Sequence, residues 1–332
     1  MSMAAMRNEV DLLRDLLQRN HEIMIVGHKD ADGDTLGCSL AFGEALRAMG
    51  KHVHVVIPPP LPQKYSWMPG FDRIVESPLP GAGIGLVLFF DSGNMERTGG
   101  AMSNIADDVT VVNVDHHSSN TRFGNLNIID SDASAVGQMC LDMLEQYGWS
   151  ISPTMATNLY TALMTDTGGF RHENTTPRAL RDAARLSALG ADPAAIASMV
   201  YKSRPLTTLK LSALSIATMQ VEMGGRLAWA RVSRRMLREA GAVMAESEDI
   251  IDTLNSLAGL DLAIILKEVS GRLTKISVRS RGAVDAAALC GEFGGGGHLR
   301  AAGAEIPLPI DRAIPAVLDV ARDAIRAADA RS

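Results

Sequence analysis

Four short apolar runs do most to limit what this chain can fold into. Glu22–Gly27, His52–Ile57, Gly85–Phe90 and Val109–Val114 consist largely of branched aliphatic or aromatic side chains, and helical patterns separate them. Runs this short and this apolar suit buried strands. Asp34–Met49 carries apolar residues at helical spacing and stops at Gly50, a natural C-terminal cap. The alternation predicts a parallel sheet with helices on its faces. From Ser134 to Leu189 the pattern turns mostly helical, with Pro177 where a first helical turn tolerates it and Gly190 where that helix should end.

A length of 332 residues suggests two domains. The stretch 192–205 reads as the passage between them. Beyond it the sequence predicts a helix over Leu206–Met223, then strands at Arg226–Val232, Leu260–Val269 and Arg272–Arg279. A helix over Asp285–Phe293 follows, then the run Gly294–His298, a strand through Gly303–Ile306 and a closing helix from Ile310. The expected fold class is α/β: a parallel-sheet domain over 1–191, a linker over 192–205 and a smaller α/β domain over 206–332, with the active-site cleft between the domains. With 46% apolar and 21% charged residues, a sizeable core is available and wholesale disorder is excluded. No apolar run approaches the ~20 residues that cross a bilayer. The opening residues lead into Glu9, Asp11 and Arg14 without an apolar signal core, and Cys38, Cys140 and Cys290 lie far apart with no C-x-x-C pair. The expectation is a reduced, cytoplasmic protein that does not enter membranes.

Up to Arg204 the chain carries 16 basic and 23 acidic residues, a balance of −7; the remainder carries 16 and 15, or +1. An acidic first part is ill suited to gripping duplex DNA, which requires many phosphates to be neutralised. It suits multivalent cations, although a solvated acidic surface accounts for most of those charges.

Charged residues cluster just past the predicted strand ends, where open parallel sheets bind ligands. The first strand runs into His28-Lys29-Asp30-Ala31-Asp32-Gly33-Asp34, a histidine and three carboxylates in seven residues. Carboxylates that close repel one another, and a metal would reconcile them; a polar turn with a helix N-cap explains the same residues equally well. An EF-hand does not fit, because Thr35 falls where its glycine belongs and Ala41 where its bidentate glutamate belongs. Nor does a dinucleotide fingerprint follow the strand. The third strand ends at Asp91 and the fourth at Asp115-His116-His117. An apolar helix then ends in Thr165-Asp166-Thr167-Gly168-Gly169-Phe170. Four such places in one domain make coincidence the poorer account.

Together, His28, Asp32 and Asp34 in an H-x-x-x-D-x-D pattern, Asp91, the D-H-H triplet Asp115–His117 and T-D-T-G-x-F resemble the DHH phosphoesterase superfamily. Val278-Arg279-Ser280-Arg281 and the run from Phe293 through Gly294, Gly295, Gly296, Gly297 and His298 to Gly303 look like its DHH-associated domain. Length and layout are similar to the nanoRNase/pAp phosphatase (NrnA-type) group. Ala31 and Gln138 depart from the common pattern without removing an expected ligand. The resemblance implies two cations: His28, Asp32 and Asp91 on one, and Asp34, Asp91, His116 and Asp166 on the other, with Asp91 shared. Imidazoles and carboxylates without thiolate suit Mn²⁺, with Mg²⁺ or Co²⁺ as substitutes. Two such ions can acidify a water and stabilise both oxygens of an in-line displacement at phosphorus. By the same resemblance His117 faces the substrate phosphate and Asp115 orients the histidine pair.

The second domain then has to hold the nucleotide. Gly294–Gly297 can present backbone N–H groups to a phosphate as an anion nest, a flexible hinge being the plainer alternative, and His298 adds a donor. Arg279 and Arg281 alternate along a predicted strand and so can share one face; Arg300 and Arg171 are weaker candidates. The implied substrates are short single-stranded RNA, dinucleotides and 3′,5′-bisphosphonucleoside (pAp). Competing readings are a phosphodiesterase for linear or cyclic dinucleotide messengers such as pApA, pGpG or c-di-AMP, and a nucleotide sensor without turnover. An RNA-binding module explains only the second half. A homodimer is compatible with the apolar helices of Ser134–Leu189.

Overall fold

The computed structural model describes residues 6–76, 83–100, 105–106, 108–281 and 283–330, so the first five residues of the opening segment lie outside it. The chain divides into two compact units, Met1–Ser203 and Arg204–Ser332.

In the first unit the elements run α1 (Arg7–Arg19), β1 (Glu22–Val26), α2 (Gly33–Ala48), β2 (His52–Val56), β3 (Ile74–Val75), β4 (Leu86–Phe90), β5 (Thr110–Asp115), β6 (Leu126–Ile129), α3 (Val136–Gln146), α4 (Pro153–Asp166), α5 (Pro177–Ala188) and α6 (Pro193–Tyr201). The strands form one sheet in the order β3-β2-β1-β4-β5-β6, and every pair is parallel. The order reverses between β1 and β4, which makes the carboxyl ends of these two strands the expected ligand site. Ile23, Ile25, Leu86, Leu88 and Phe90 point to one face and pack with apolar residues from all six helices. The alternate residues Met24, Val26, Val87 and Phe89 pack with Ile105, Val109 and Phe123 from connecting segments. Helical cover, expected on both faces, is thus seen on the first face only among the described residues.

Helices α2 and α4 lie unusually close. A Cβ on Gly37 would come within 2.3 Å of the Asn158 carbonyl oxygen, and one on Gly33 within 2.4 Å of the Thr165 hydroxyl. This glycine pair, one turn apart on α2, lets the end of α4 approach the start of α2. The stretch 192–205, expected as a passage, contains helix α6, whose Ile196 packs into the first unit's core.

The second unit comprises α7 (Leu206–Ile216), β7 (Gln220–Glu222), β8 (Leu227–Val232), α8 (Arg234–Ala240), α9 (Ile250–Asn255), β9 (Leu262–Ser270), β10 (Leu273–Ser280), α10 (Ala286–Gly291), β11 (Gly296–His298), β12 (Ala301–Ile306) and α11 (Ile310–Asp329). The helix expected over Leu206–Met223 stops at Ile216, and its remaining residues include an edge strand that pairs with β8. The sheet is mixed, ordered β11-β12-β10-β9-β8-β7. One face, bearing Leu262, Ile264, Ile276, Val278, Ala302 and Ala304, packs against α10 and α11. The other face is covered over β8 and β9 by α7, α8 and α9. Among the described residues no helix is long and apolar enough to cross a membrane.

Candidate metal centre

The parallel register places the ends of β1, β4 and β5 side by side: Val26 lies opposite Phe89, and Phe90 opposite Val114. Each strand therefore delivers its next residues to the same region. Asp91 follows β4 directly, and its N–H donates to the Val114 carbonyl at 3.0 Å. Its φ of +58° is left-handed, a conformation that aspartate tolerates better than most residues but still at a cost of ~1–2 kcal/mol. Asp91 is 2% exposed. Oδ2 accepts a 2.6 Å hydrogen bond from the Thr35 hydroxyl and lies 3.3 Å from His28 Nε2. Oδ1, which accepts no hydrogen bond, lies 3.6 Å from His117 Nδ1 and 3.8 Å from His116 Nε2.

The three imidazoles are oriented in one way. Nδ1 of His28 donates to the Lys29 carbonyl at 2.5 Å, Nδ1 of His116 to the Ala133 carbonyl at 3.1 Å, and Nδ1 of His117 to the Asp115 carboxylate at 2.7 Å. Each Nε2 is thereby left as the basic nitrogen, the arrangement that metal-binding histidines use. Asp115 is fully buried and also accepts from Asn120 Nδ2 at 2.6 Å, so it holds His117 firmly.

The remaining carboxylates are set by helix ends. Asp32 caps α2, accepting from the N–H groups of Asp34 and Thr35 at 3.0 Å each. Asp34, 1% exposed, spans two helices: it lies in the first turn of α2 and accepts the first two amides of α3, Val136 at 2.7 Å and Gly137 at 2.8 Å. Asp166 is the last residue of α4, where the helix dipole is unfavourable to a negative charge. It accepts from Asn174 Nδ2 at 3.3 Å and lies 3.8 Å from His116 Nε2.

Three overlapping groups result, each with ligand atoms within 4.8 Å of one another: His28, Asp32 and Asp91; Asp34, His116 and Asp166; and Asp91, His116 and His117. The electrostatics are those of an uncompensated cage. Burial and the neighbouring Asp91 and Asp166 push Asp34 well up, and burial raises Asp166 to about 6 despite His116. Burial lowers His116, but Asp166, Asp34, Asp91 and Asp115 outweigh it and lift the imidazole to about 10. Asp91 moves the other way: burial alone would raise it, yet His28, His117 and His116 hold it far below the usual carboxylate range. Hard oxygen and imidazole donors, four of them crowded carboxylates and one with an orphaned oxygen, fit a pair of divalent cations. In the third group, the His117 nitrogen facing Asp91 is the one bonded to Asp115, which disfavours His117 as a ligand.

The second unit treats its expected residues differently. Arg279, on β10, is half-buried and lies 3.6 Å from Asp252. His298, on β11, is exposed and lies opposite Ala301, itself opposite Arg279, so the three share a row across the sheet. Arg281 corrects the expectation of a shared strand face. It follows β10, and its guanidinium donates to the carbonyls of Leu257 and Asn255 at the end of α9. The glycine run corrects the expectation of an open nest. The N–H groups of Gly294 and Gly295 donate to Gly291 and Cys290 and close α10. A Cβ on Gly295 would stand 2.2 Å from the Gly303 carbonyl oxygen, whereas one on Gly296 would meet nothing within 4 Å. Gly294 and Gly295 thus belong to the turn that closes α10, and Gly296 and Gly297 to the edge strand β11. Arg171 donates to the Gly168 carbonyl at 2.6 Å and lies over Tyr201, and Arg300 accepts at its carbonyl from Ser280.

Several polar residues at this centre were not singled out by their spacing. Thr35 and Asn174 bond the carboxylates directly, and Arg97 places Nη2 3.3 and 3.4 Å from the two ring nitrogens of His28. Gln138 accepts from the Ser134 N–H at 3.0 Å and donates to Asp182, holding the segment before α3.

Residues 22–165 match the family model "DHH family, N-terminal domain", and residues 224–327 match the "DHHA1 domain". A Thermus thermophilus protein named "Bifunctional oligoribonuclease and PAP phosphatase NrnA" is 34% identical over 91% of this chain and 89% of its own. A Bacillus subtilis protein of the same name is 24% identical over 86% and 89%. The crystal structure of an exopolyphosphatase-related protein from Bacteroides fragilis superposes with a TM-score of 0.87 at 25% identity, covering 96% of each chain.

Proposed function

Because this chain belongs to the DHH family and continues into a DHHA1 domain, we propose that it is a metal-dependent phosphoesterase hydrolysing short oligoribonucleotides and pAp. Both activities are in the name of the Thermus relative, which it matches over nearly its whole length. The observation that carries the reading is Asp91, a buried carboxylate in a left-handed backbone, with one oxygen free of hydrogen bonds and three imidazoles turned toward it.

His28, Asp32 and Asp91 would hold one cation, and Asp34, Asp91, His116 and Asp166 the other. Mn²⁺ is the proposed metal, on the all-nitrogen-and-oxygen donor set. When bound, the pair supplies an acidified water and charge neutralisation at phosphorus. The chain's own residues do the rest. Thr35 and the α3 amides fix two carboxylates so that they need not reorganise as charge develops. Asp115 keeps the Nδ1 proton of His117 in place, leaving Nε2 to hold or deliver a proton at the leaving oxygen. Arg279 and His298, in one row of the second sheet beside the uncrowded backbone of Gly296, would receive the rest of the nucleotide. The three cysteines are free and buried, which fits a reducing cytoplasm.

Initial rates on pAp, pApA, pGpG, c-di-AMP and a single strand of about 24 nucleotides, a length beyond the ~4–16 that extended channels grip, test the reading. With Mn²⁺, pAp and the short linear substrates should be turned over and the long strand spared; a chelator should stop all turnover. Fast degradation of the long strand would refute the size limit. Turnover of c-di-AMP above every linear substrate would favour the cyclic-dinucleotide reading, and Mn²⁺ binding without hydrolysis the sensor.

A further inference from the structure

Arg97 lies at the edge of the metal centre without an evident partner for its charge. It sits in the short helical turn Met95–Thr98 that follows β4. The turn is firmly built: the Asn94 side chain accepts from the Arg97 N–H at 3.1 Å, and the Lys29 N–H donates to the Arg97 carbonyl at 2.7 Å. That second bond ties the turn to the segment carrying His28. The guanidinium then reaches the His28 ring, with Nη2 3.3 Å from Nε2 and 3.4 Å from Nδ1. Nδ1 already donates to a carbonyl, so only Nε2 can accept from the guanidinium, and that ring nitrogen supplies no countercharge. Among the described residues no carboxylate forms an ion pair with Arg97. A half-buried arginine beside a cluster of carboxylates, yet paired with none of them, is oriented for an anion that arrives from outside.

The charge balance points the same way. The centre gathers four carboxylates, Asp32, Asp34, Asp91 and Asp166. Two divalent cations would cancel them and leave no surplus for the negative oxygens of a phosphate. A guanidinium on the His28 side provides that surplus, and its fork geometry suits two phosphate oxygens at once.

We infer that Arg97 is a substrate-binding residue that clamps the phosphate to be hydrolysed, from the His28 side of the centre. The inference rests on the phosphoesterase reading above and adds a contact that its motifs do not include.

The test compares wild type, Arg97→Ala and Arg97→Lys in the full chain. Mn²⁺ uptake is read by titration calorimetry. Affinity for inorganic phosphate, with Mn²⁺ present, is read by calorimetry and by inhibition of pAp hydrolysis. In R97A, Mn²⁺ uptake should match wild type, while phosphate affinity falls about 10- to 100-fold, as expected for a lost charge-assisted bond. KM for pAp should rise with it. R97K should recover only part, because an ammonium cannot reproduce the fork. Unchanged phosphate affinity in R97A, or a wild type that takes up Mn²⁺ but no phosphate, overturns the clamp. Loss of Mn²⁺ uptake in R97A also overturns it, since Arg97 would then serve to hold His28. A wild type that binds phosphate through Arg97 yet hydrolyses nothing would sink the phosphoesterase reading and leave the clamp standing.

Discussion

In the first unit most of the motif side chains are buried and turned toward one another: His28, Asp34, Asp91 and Asp115 are each at most 2% exposed and His117 is 8% exposed, while Asp32 and Asp166 are more open. In the second unit Gly294–His298 lie on the surface, and two of the glycines and Arg281 make bonds within the unit. The difference concerns how much physics constrains each residue. Burying several carboxylates side by side costs many kcal/mol unless something compensates, so such a cluster has few explanations. An exposed glycine or arginine costs little, and helix closure or a crowded strand pair accounts for it as readily as a ligand does. The first unit can therefore be read from its burial and contacts, whereas the second needs experiments that separate holding the fold from holding the substrate.

The largest effect should come from the most constrained residue. Asp91→Ala removes a ligand shared by both proposed cations. It should reduce kcat by about 10³-fold or more, equivalent to ~4 kcal/mol of transition-state stabilisation, and lower Mn²⁺ uptake in calorimetry. Turnover near the wild-type rate would break the comparison at its strongest point.

Proton linkage sharpens the same contrast. In the metal-free centre His116 holds its proton up to about 10, and Asp166 titrates at about 6. A cation must displace the His116 proton to reach Nε2. Between these two values binding should release at least this proton, and more wherever Asp34 or His28, both also raised, still holds one, so the apparent association constant rises at least about tenfold per pH unit. Below about 6 the rise with pH should be steeper, because Asp166 must also be deprotonated. Calorimetry in two buffers of different ionisation enthalpy measures the protons released. A pH-independent Mn²⁺ affinity would mean that His116 is not a ligand.

How far the sequence could be read follows the same division. The strands β1, β2, β4 and β5 were legible because apolar runs bounded by charge have few other uses, and the parallel register then brings Asp91 and Asp115 together. The approach of Asp166 was not legible from strand logic. It depends on Gly33 and Gly37, whose meaning appears only when α4 is seen against α2. Strand β6, Leu126–Ile129, and the two-residue β3 are too short to stand out from loops, and they are recognised only through pairing with their neighbours. Helix α1 was readable in principle, since Val10, Leu13 and Leu17 fall at helical spacing and are all buried. Arg281 was misplaced because strand alternation was extended one residue past the end of β10 at Ser280, where the side chain is free to turn toward α9.

The two arginines give the next test. Arg279→Ala should raise KM for pAp about tenfold with little change in kcat, as expected for a contact equal in ground and transition states. Arg281→Ala should leave KM unchanged and instead lower the melting temperature, because α9 loses donors to its terminal carbonyls, a loss of ~1 kcal/mol. If Arg281→Ala raised KM as much as Arg279→Ala, the assignment of Arg281 to α9 would fail.

The smallest effect discriminates most finely, because it compares adjacent glycines. A methyl on Gly295 would lie 2.2 Å from the Gly303 carbonyl oxygen and 2.5 Å from the Ala304 Cβ, so β11 and β12 would have to separate. Gly295→Ala should destabilise the second unit by ~1–3 kcal/mol, as overpacking does, with KM following only as the fold is lost. A methyl on Gly296 meets nothing within 4 Å. Gly296→Ala should therefore keep its stability within about 0.5 kcal/mol. If the nucleotide lies against that open backbone, KM should nevertheless rise a few-fold, by roughly 1 kcal/mol. Thermal melts and initial rates on the two variants separate the roles. A Gly296→Ala protein with unchanged melting and unchanged KM would move the nucleotide off this stretch of β11, leaving Arg279 and the metal centre to account for binding.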